Sequence, residues 1–204
     1  MLEVPGRYAV PQRLFTWNGA DSMKMRMILV VVSLALASSS LTATVVKDPG
    51  ARDHLRLAHA GTQNGEYSVT VQVENDQELA SLDIPLRFGQ PGDSITLKRV
   101  EWSERVAGWE FKHAAIDNER KTVILGLISE LTGTRSNANL AAWAGGNARI
   151  ATLVFSLQGN YKPIMTTFTT EHPEHSLTYI FNRYENGKPI VQEFSPEFEV
   201  ASDD

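Results

Sequence analysis

The segment Glu66-Tyr67-Ser68-Val69-Thr70-Val71-Gln72-Val73-Glu74 decides the fold class. From Tyr67 to Val73 an apolar side chain occurs at every second position, and polar side chains fill the positions between. Successive side chains of a β-strand point to opposite faces, so this pattern predicts a strand with one buried face and one polar face. A helix would place the same side chains on two opposite sides instead of one.

The following segment, Leu82 to Phe88, repeats the alternation. Pro85 lies in its middle and has no backbone N–H to donate to a neighbouring strand. We therefore predict that this strand lies at a sheet edge or is interrupted at Pro85. Further along, the apolar positions change parity between Leu97 and Val100, which indicates a β-bulge near Lys98-Arg99.

Three later segments carry more specific signals. Val123 to Ile128 is apolar at both parities, which is typical of a central strand covered on both faces. Asn186-Gly187 is a favoured pair for a two-residue hairpin, since both central residues of a type I′ turn need positive φ. Within the long connection Thr132–Asn147, Asn137 can cap a short helix over residues 138–144.

These segments amount to about nine short strands without a long amphipathic helix. They predict an all-β fold, with one two-sheet antiparallel sandwich over residues 55–200. Residues 44–54 would form a lead-in to this domain, and residues 201–204 a tail.

The segment Met23–Ala43 is typical of a signal peptide. Two basic residues precede an apolar run from Met27 to Leu36, and small residues follow the run. Cleavage after Ala37 or Ala43 fits the small-x-small pattern. The run has about half of the roughly 20 residues that a bilayer-spanning helix needs, so we expect no stable membrane span after cleavage.

Residues 1–22 lie upstream of this segment and have no apolar period. A signal peptide begins at the initiator methionine, so we interpret Met1–Ser22 as an over-extension of the reading frame and expect it to be disordered. Translation would then start at Met23 or Met25 rather than at Met1. The mature protein would be secreted, or retained in a periplasm or cell envelope.

The composition excludes several classes of function. The 204 residues carry a net charge of −5 with a pI near 5.6, whereas a nucleic-acid-binding protein needs a dense basic patch. The absence of cysteine excludes disulfides, thiolate metal sites and thiol nucleophiles. Hydrophobic residues make up 42% of the chain, which is enough for a sizeable core.

No sequence motif indicates catalysis. Gly-x-Ser-x-Gly, Walker and dinucleotide-binding patterns are absent, and no spacing favours a serine triad or a glycosidase carboxylate pair. His172-Pro173-Glu174-His175 groups metal-ligand types, but its spacing favours a solvated loop. Four other acidic residues favour turn chemistry over a calcium site: Asp76, Asp93, Asp117 and Asp203. We therefore predict that the protein is not an enzyme and has no cofactor or metal.

Three stretches of the chain resemble cohesin modules. The valine-alternating segment Ser68–Asn75 passes through a small-Leu step into Leu79–Phe88, as at the opening of a cohesin. Ala144–Phe155 is similar to the Gly…Ile-Ala-x-Leu-x-Phe segment of that family. The resemblance covers about residues 55–157 and implies a nine-stranded jelly-roll sandwich that binds dockerin-type protein partners in extracellular assemblies. The chain departs from the family at Phe88-Gly89, where an aromatic-Asp pair is expected.

The resulting hypothesis is a secreted, non-catalytic binding module that holds a dockerin-type protein. The first alternative is polysaccharide binding by the same sandwich, through aromatic rings that stack on sugar faces. Trp102, Trp109 and Tyr179 lie in strand segments and are expected in the core. Trp143, in the long connection, and Tyr184, beside the hairpin, are the predicted binding residues. A secreted hydrolase and a structural envelope component are further alternatives, and the partner and the oligomeric state stay open.

Overall fold

The structure is a computed structural model that describes residues 44–131, 139–157, 162–171, 174–185 and 188–201. The predicted signal peptide and the upstream segment Met1–Ser22 lie outside these ranges. Among the residues within them, no helix has the length and apolar character needed to cross a bilayer.

The described residues form two β-sheets, of seven and five strands. Nine strands have seven or more residues, which confirms the predicted all-β sandwich. In chain order the strands are β1 (Thr44–Val45), β2 (His54–Gln63), β3 (Glu66–Glu74), β4 (Ser81–Arg87), β5 (Ile95–Trp102), β6 (Phe111–Asp117), β7 (Thr122–Ile128), β8 (Arg149–Leu157), β9 (Thr166–Thr167), β10 (Thr178–Glu185), β11 (Lys188–Phe194) and β12 (Glu197–Val200).

The strand order in the larger sheet is β1-β11-β10-β4-β7-β6, with β9 beside β4, and in the smaller sheet β12-β2-β3-β8-β5. Most neighbours are antiparallel, as predicted. The exceptions are β1 beside β11 and β12 beside β2, which are parallel. These two strands lie at sheet edges, and β1 falls within the predicted lead-in.

The core lies between the two sheets and contains the predicted apolar faces. In β3, Tyr67 is 4% exposed and the three valines that follow it are fully buried. The inward side chains of β4 are buried to the same degree, and the Phe88 ring lies 5.4 Å from the Phe155 ring. Full burial of a valine or leucine side chain contributes about 1.5–3 kcal/mol, so these alternating positions hold the sheets together.

Pro85 marks an interruption in the pairing of β4. On one side β4 pairs with β7 along its whole length. On the other side it pairs with β10 up to Asp83 and with β9 from Leu86 onward. The neighbouring strand therefore changes across Pro85, where no N–H is available. The predicted interruption is confirmed, whereas the edge-strand alternative is wrong.

The predicted bulge in β5 is also confirmed. The register with β8 shifts between Leu97 and Arg99. Lys98 Nζ and Arg99 Nη2 both contact the Glu66 carboxylate, at 2.5 and 2.9 Å. Hydrogen bonds from Arg99 and Lys98 lower the pKa of Glu66 to about 2.

The predicted helix over residues 138–144 is wrong in its described part, residues 139–144. Leu140 exchanges backbone hydrogen bonds of 3.0 and 2.8 Å with Leu79, and its side chain is 1% exposed. The Ala141 carbonyl accepts hydrogen bonds from Asn75 and Arg105. These long-range contacts extend the segment along the sandwich and override its helix propensity. Asn137, the predicted cap, lies outside the described residues.

Two short hairpins join neighbouring strands, β2 to β3 and β10 to β11. The turn between β2 and β3 is Asn64-Gly65, with φ of 53° and 78°, as a type I′ turn requires. Glu185 of β10 pairs with Lys188 of β11, which leaves two residues for that hairpin. Asn186-Gly187 themselves lie outside the described residues.

Candidate functional site

The outer face of the larger sheet carries apolar side chains on β6 and β7. Phe111 lies opposite Ile128 and Ala115 opposite Ile124 in the register of these strands. Phe111 is 39% exposed, Ala115 is exposed, and both isoleucines are half-buried. Gly126 leaves room beside the Phe111 ring, since a Cβ there would lie 3.6 Å from its Cε1. We call Phe111, Ala115, Ile124, Gly126 and Ile128 the apolar face.

The exposure of the apolar face differs from the prediction made for β7. The double-parity pattern from Val123 to Ile128 predicts a strand covered on both faces. The inward side chains of Val123, Leu125 and Leu127 are fully buried, whereas the outward Ile124 and Ile128 retain solvent exposure. The prediction of an outer cover is wrong, because β7 adjoins the edge strand β6 and its outer isoleucines lie at the surface.

A pocket of about 430 Å³ lies at one end of the apolar face. Ala115 and Ile124 belong to both features, and Arg87, Asp117, Arg120 and Phe168 are among the other residues that line the pocket. The Arg87 guanidinium lies 5.5 Å from the centroid of the Phe168 ring, a cation–π contact. Its buried Nε has no hydrogen-bond partner among the described residues. The pocket thus combines an apolar wall with a cation, a combination that suits a carboxylate on an apolar segment.

Asp83 and His175 form a polar pair on the same outer face. His175 Nδ1 lies 2.9 Å from Asp83 Oδ2. Burial raises the pKa of Asp83, and the hydrogen bond and charge of His175 oppose this rise. Thr170 fixes the histidine, because its hydroxyl accepts a 2.7 Å hydrogen bond from the His175 N–H. His175 therefore belongs to a pair with Asp83, and His172 of the same sequence cluster lies outside the described residues.

Three aspartates of the predicted turns bind backbone N–H groups. The Asp93 carboxylate accepts a hydrogen bond from the Gln90 N–H, and the Asp76 carboxylate accepts one from the Ala51 N–H. The Asp117 carboxylate accepts hydrogen bonds from the N–H groups of Glu119 and Arg120. Their carboxylates stabilise the local backbone, as turn chemistry predicts. Asp203 lies outside the described residues.

The predicted binding residues, Trp143 and Tyr184, do not belong to strands β6 and β7, which carry the apolar face. Trp143 is half-buried, and its Nε1 lies 3.4 Å from the Gly146 carbonyl oxygen. Tyr184 lies in β10, where it pairs with Pro189, and its side chain is not among those described. Trp109 is 5% exposed and Tyr179 is fully buried, as expected.

Sequence reasoning missed Phe111, the exposed aromatic residue at one end of the apolar face. A signal was present, because β6 places Phe111, His113 and Ala115 at one parity, opposite the outward parity of β7. Two neighbouring strands that both have apolar outward positions predict an exposed apolar surface once their pairing is known.

The comparisons with known proteins return cohesins. No family model and no curated protein sequence matches the chain. The seventh ScaB type I cohesin from Pseudobacteroides cellulosolvens has 12% identity and a TM-score of 0.49, over 75% of this chain and 94% of that chain. The type I cohesin of the Clostridium thermocellum Coh-OlpA–Doc918 complex has 11% identity and a TM-score of 0.46, over 74% and 100%. CaCohA2 from Clostridium acetobutylicum has 12% identity and a TM-score of 0.47, over 72% and 91%. The chain is similar to cohesin modules, the family that its strand sequences also resemble.

Proposed function

We propose that this chain is a non-catalytic binding module that holds a dockerin-type protein partner against the outer face of its larger sheet. The observation that carries this proposal is the apolar face, where Phe111, Ile124 and Ile128 retain exposure on a sheet surface. We propose a dockerin as the partner because the sequence resembles cohesins, which bind dockerins.

The two outer sheet surfaces differ in a way that supports this assignment. An outer face of an antiparallel sheet is ordinarily polar. The smaller sheet follows that rule, since Arg56 forms ion pairs of 3.0 and 3.1 Å with Glu74 and Glu199 there. The larger sheet places Phe111 and two isoleucines at the equivalent surface. Exposed apolar side chains grouped on one face are typical of a protein interface.

The pocket at the end of the apolar face favours a partner that carries a negative charge there. Arg87 lies against Phe168 at the pocket wall, and Arg120 is 3.5 Å from Asp117. Asp117 offsets the charge of Arg120, so Arg87 is the cation that faces a partner. We infer that the partner presents apolar side chains to the face and a carboxylate to Arg87, which would form a charge-assisted hydrogen bond.

The binding test uses purified dockerin modules immobilised on a sensor. We expect one or more of them to bind the protein at micromolar concentration or below. Phe111→Glu should weaken that binding at least tenfold, because it removes the exposed aromatic ring of the apolar face and buries a charge in the interface. Gln72→Glu, on the outer face of β3, adds the same charge to the smaller sheet and should leave binding unchanged.

Two results would contradict the proposal. Absence of capture by every dockerin at micromolar concentration would exclude this class of partner. Equal affinity of Phe111→Glu and the unmodified protein would exclude the apolar face. Pull-downs with cellulose and xylan test the polysaccharide alternative. We expect no binding to either polymer, since the described side chains include no exposed strip of aromatic rings.

We also propose that the module acts outside the cytoplasm, in an extracellular or envelope assembly. This part rests on the signal-peptide pattern of Met23–Ala43. Mass spectrometry of the exported protein should find a mature amino terminus directly after Ala37 or Ala43. Recovery of the uncleaved chain from the cytoplasm alone would contradict export.

A further inference from the structure

A cluster of metal-ligand side chains lies where the last strand joins the smaller sheet. His54 begins β2, and Glu197 and Glu199 lie in β12, which pairs parallel to β2. Glu197 is the register partner of His54. Because Glu197 and Glu199 are two residues apart, they project from one face of the strand. We call His54, Glu197 and Glu199 the seam cluster.

The distances within the seam cluster match those between ligands of one metal ion. His54 Nδ1 lies 3.1 Å from Glu199 Oε1 and 3.6 Å from Glu197 Oε2. One ligand atom from each of the three residues lies within 4.8 Å of the others. Ligands placed about 2.0–2.2 Å from zinc in a tetrahedron are separated by about 3.3–3.6 Å. The side chains therefore need only small movements to surround an ion.

The imidazole nitrogen supplies a second and independent observation. His54 Nδ1 is inaccessible to solvent and forms no hydrogen bond of acceptable geometry with any described residue. Buried polar atoms nearly always have a partner. His54 Nδ1 faces one carboxylate oxygen of each glutamate, so what satisfies it must carry positive charge, either as a proton on the nitrogen or as a metal ion held by all three atoms. A metal ion satisfies the nitrogen and both oxygens together.

Two arginines hold the carboxylates in the required orientation. Arg52 contacts Glu197 Oε1, and Arg56 Nη2 lies 3.1 Å from Glu199 Oε2. Each glutamate thus directs one oxygen to an arginine and the other to His54. Outer contacts of this kind orient metal ligands in known sites. Arg56 is also paired with Glu74, at 3.0 Å, so the three glutamates exceed the two arginines in charge.

We propose that the seam cluster binds Zn²⁺, or a similar divalent transition-metal ion, through His54 Nδ1, Glu199 Oε1 and Glu197 Oε2, with water completing the coordination. The imidazole ligand favours zinc over Ca²⁺ and Mg²⁺, which prefer oxygen alone. A bound ion would link the four-residue strand β12 to β2.

The test is calorimetric titration of the full chain with zinc chloride. We expect one saturable site, at least tenfold weaker affinity in His54→Ala and in Glu199→Gln, and no comparable binding of Ca²⁺. His113→Ala, which removes an exposed histidine of the larger sheet, is the matched control and should bind zinc as the unmodified protein does. Circular dichroism establishes that each variant is folded.

A second measurement identifies the ligands directly. X-ray absorption of the zinc-loaded protein should show a first shell of nitrogen or oxygen ligands together with the outer-shell scattering of one imidazole, and His54→Ala should remove that outer-shell signal. Hydrogen exchange at Phe198 and Val200 should slow when zinc is added, because the ion links β12 to β2. Absence of saturable binding, or equal binding by His54→Ala, overturns the proposal. Dockerin capture by His54→Ala, without a chelator, tests the two proposals separately, because the seam cluster belongs to the smaller sheet and the apolar face to the larger sheet.

Discussion

At the scale of single residues, Asp53 is a buried ionisable group held by hydrogen bonds to its neighbours. It is 1% exposed, and its oxygens accept hydrogen bonds from the Asp76 N–H at 2.9 Å and from Gln77 Nε2 at 3.0 Å. Burial raises the pKa of Asp53 to about 7, and the nearby charges of Asp48 and Asp76 contribute to the rise. The carboxyl therefore retains its proton in the folded protein well above its ordinary pKa.

This shift gives the pH dependence of stability a definite sign. The unfolded chain releases the Asp53 proton near pH 3.8, and the folded protein releases it near pH 7. Between these values unfolding releases a proton, so the free energy of unfolding falls as the pH rises, by up to about 1.4 kcal/mol per pH unit. The low pKa of Glu66 acts in the opposite direction, since its contribution is lost as the pH falls below about 4.5.

We predict that Asp53→Asn flattens the fall between pH 4 and 7. In the unmodified protein Gln77 Nε2 donates to Asp53, and its side-chain amide can turn over so that the otherwise unpartnered Oε1 accepts from the amide of the variant. At pH 8 the variant should therefore be more stable than the unmodified protein, by about 1–3 kcal/mol. Urea unfolding at several pH values in the presence of EDTA measures this difference.

The unmodified protein at pH 4 is the internal control, because Asp53 is protonated there in the folded state. The Glu66 contribution is common to both proteins and cancels in the comparison. Parallel stability profiles for Asp53→Asn and the unmodified protein would show that Asp53 is ionised at neutral pH and would contradict this account.

At the scale of strands and turns, two glycines of the sandwich have opposite roles. Gly65 has a φ of 78°, and no heavy atom lies within 4 Å of the position of a Cβ. Gly126 lies inside strand β7, where a Cβ would make an ordinary contact of 3.6 Å with Phe111. One glycine is required by its backbone conformation, and the other only leaves space.

We predict that Gly65→Ala lowers the free energy of unfolding by about 1 kcal/mol, since an L-residue is strained at positive φ and no contact is gained. Gly126→Ala is the matched comparison and should be neutral or stabilising by up to about 1 kcal/mol, because glycine weakens a strand interior. Urea denaturation of both variants measures the two effects. A larger loss at Gly126 than at Gly65 would show that the alanine methyl group displaces Phe111.

The strands with one buried face were predictable from the sequence. The prediction failed for segments whose conformation depends on contacts between residues distant in the sequence. The alternation of β3 encodes its register, because a shift by one residue would expose every valine. The segment around Leu140 has helix-forming residues, yet its backbone pairs with Leu79, about 60 residues away. That pairing is visible only in three dimensions. The apolar face was missed for the same reason, since Phe111 and Ile128 become neighbours only through the pairing of β6 with β7.

At the scale of the whole molecule, residues 43–204 form a compact unit with its own core. The smaller sheet has β12 at one edge, where it covers the ten-residue strand β2. Phe198 of β12 packs against the core, and the Ala201 N–H donates to the Leu57 carbonyl at 2.8 Å. The last strand therefore both fills the core and covers a backbone edge that could otherwise pair with another chain.

We predict that a chain ending at Ser195 is less stable than a chain of residues 44–204 and associates in a concentration-dependent manner. Phe198→Ala in the longer chain separates the two causes. It should lower the free energy of unfolding by about 1–2 kcal/mol through lost packing, since Phe198 is half-buried, and it should stay monomeric because β12 still pairs with β2. Urea unfolding and sedimentation velocity measure the two properties. If the chain ending at Ser195 is as stable as Phe198→Ala and also monomeric, the edge of β2 needs no cover, and β12 then contributes through packing alone.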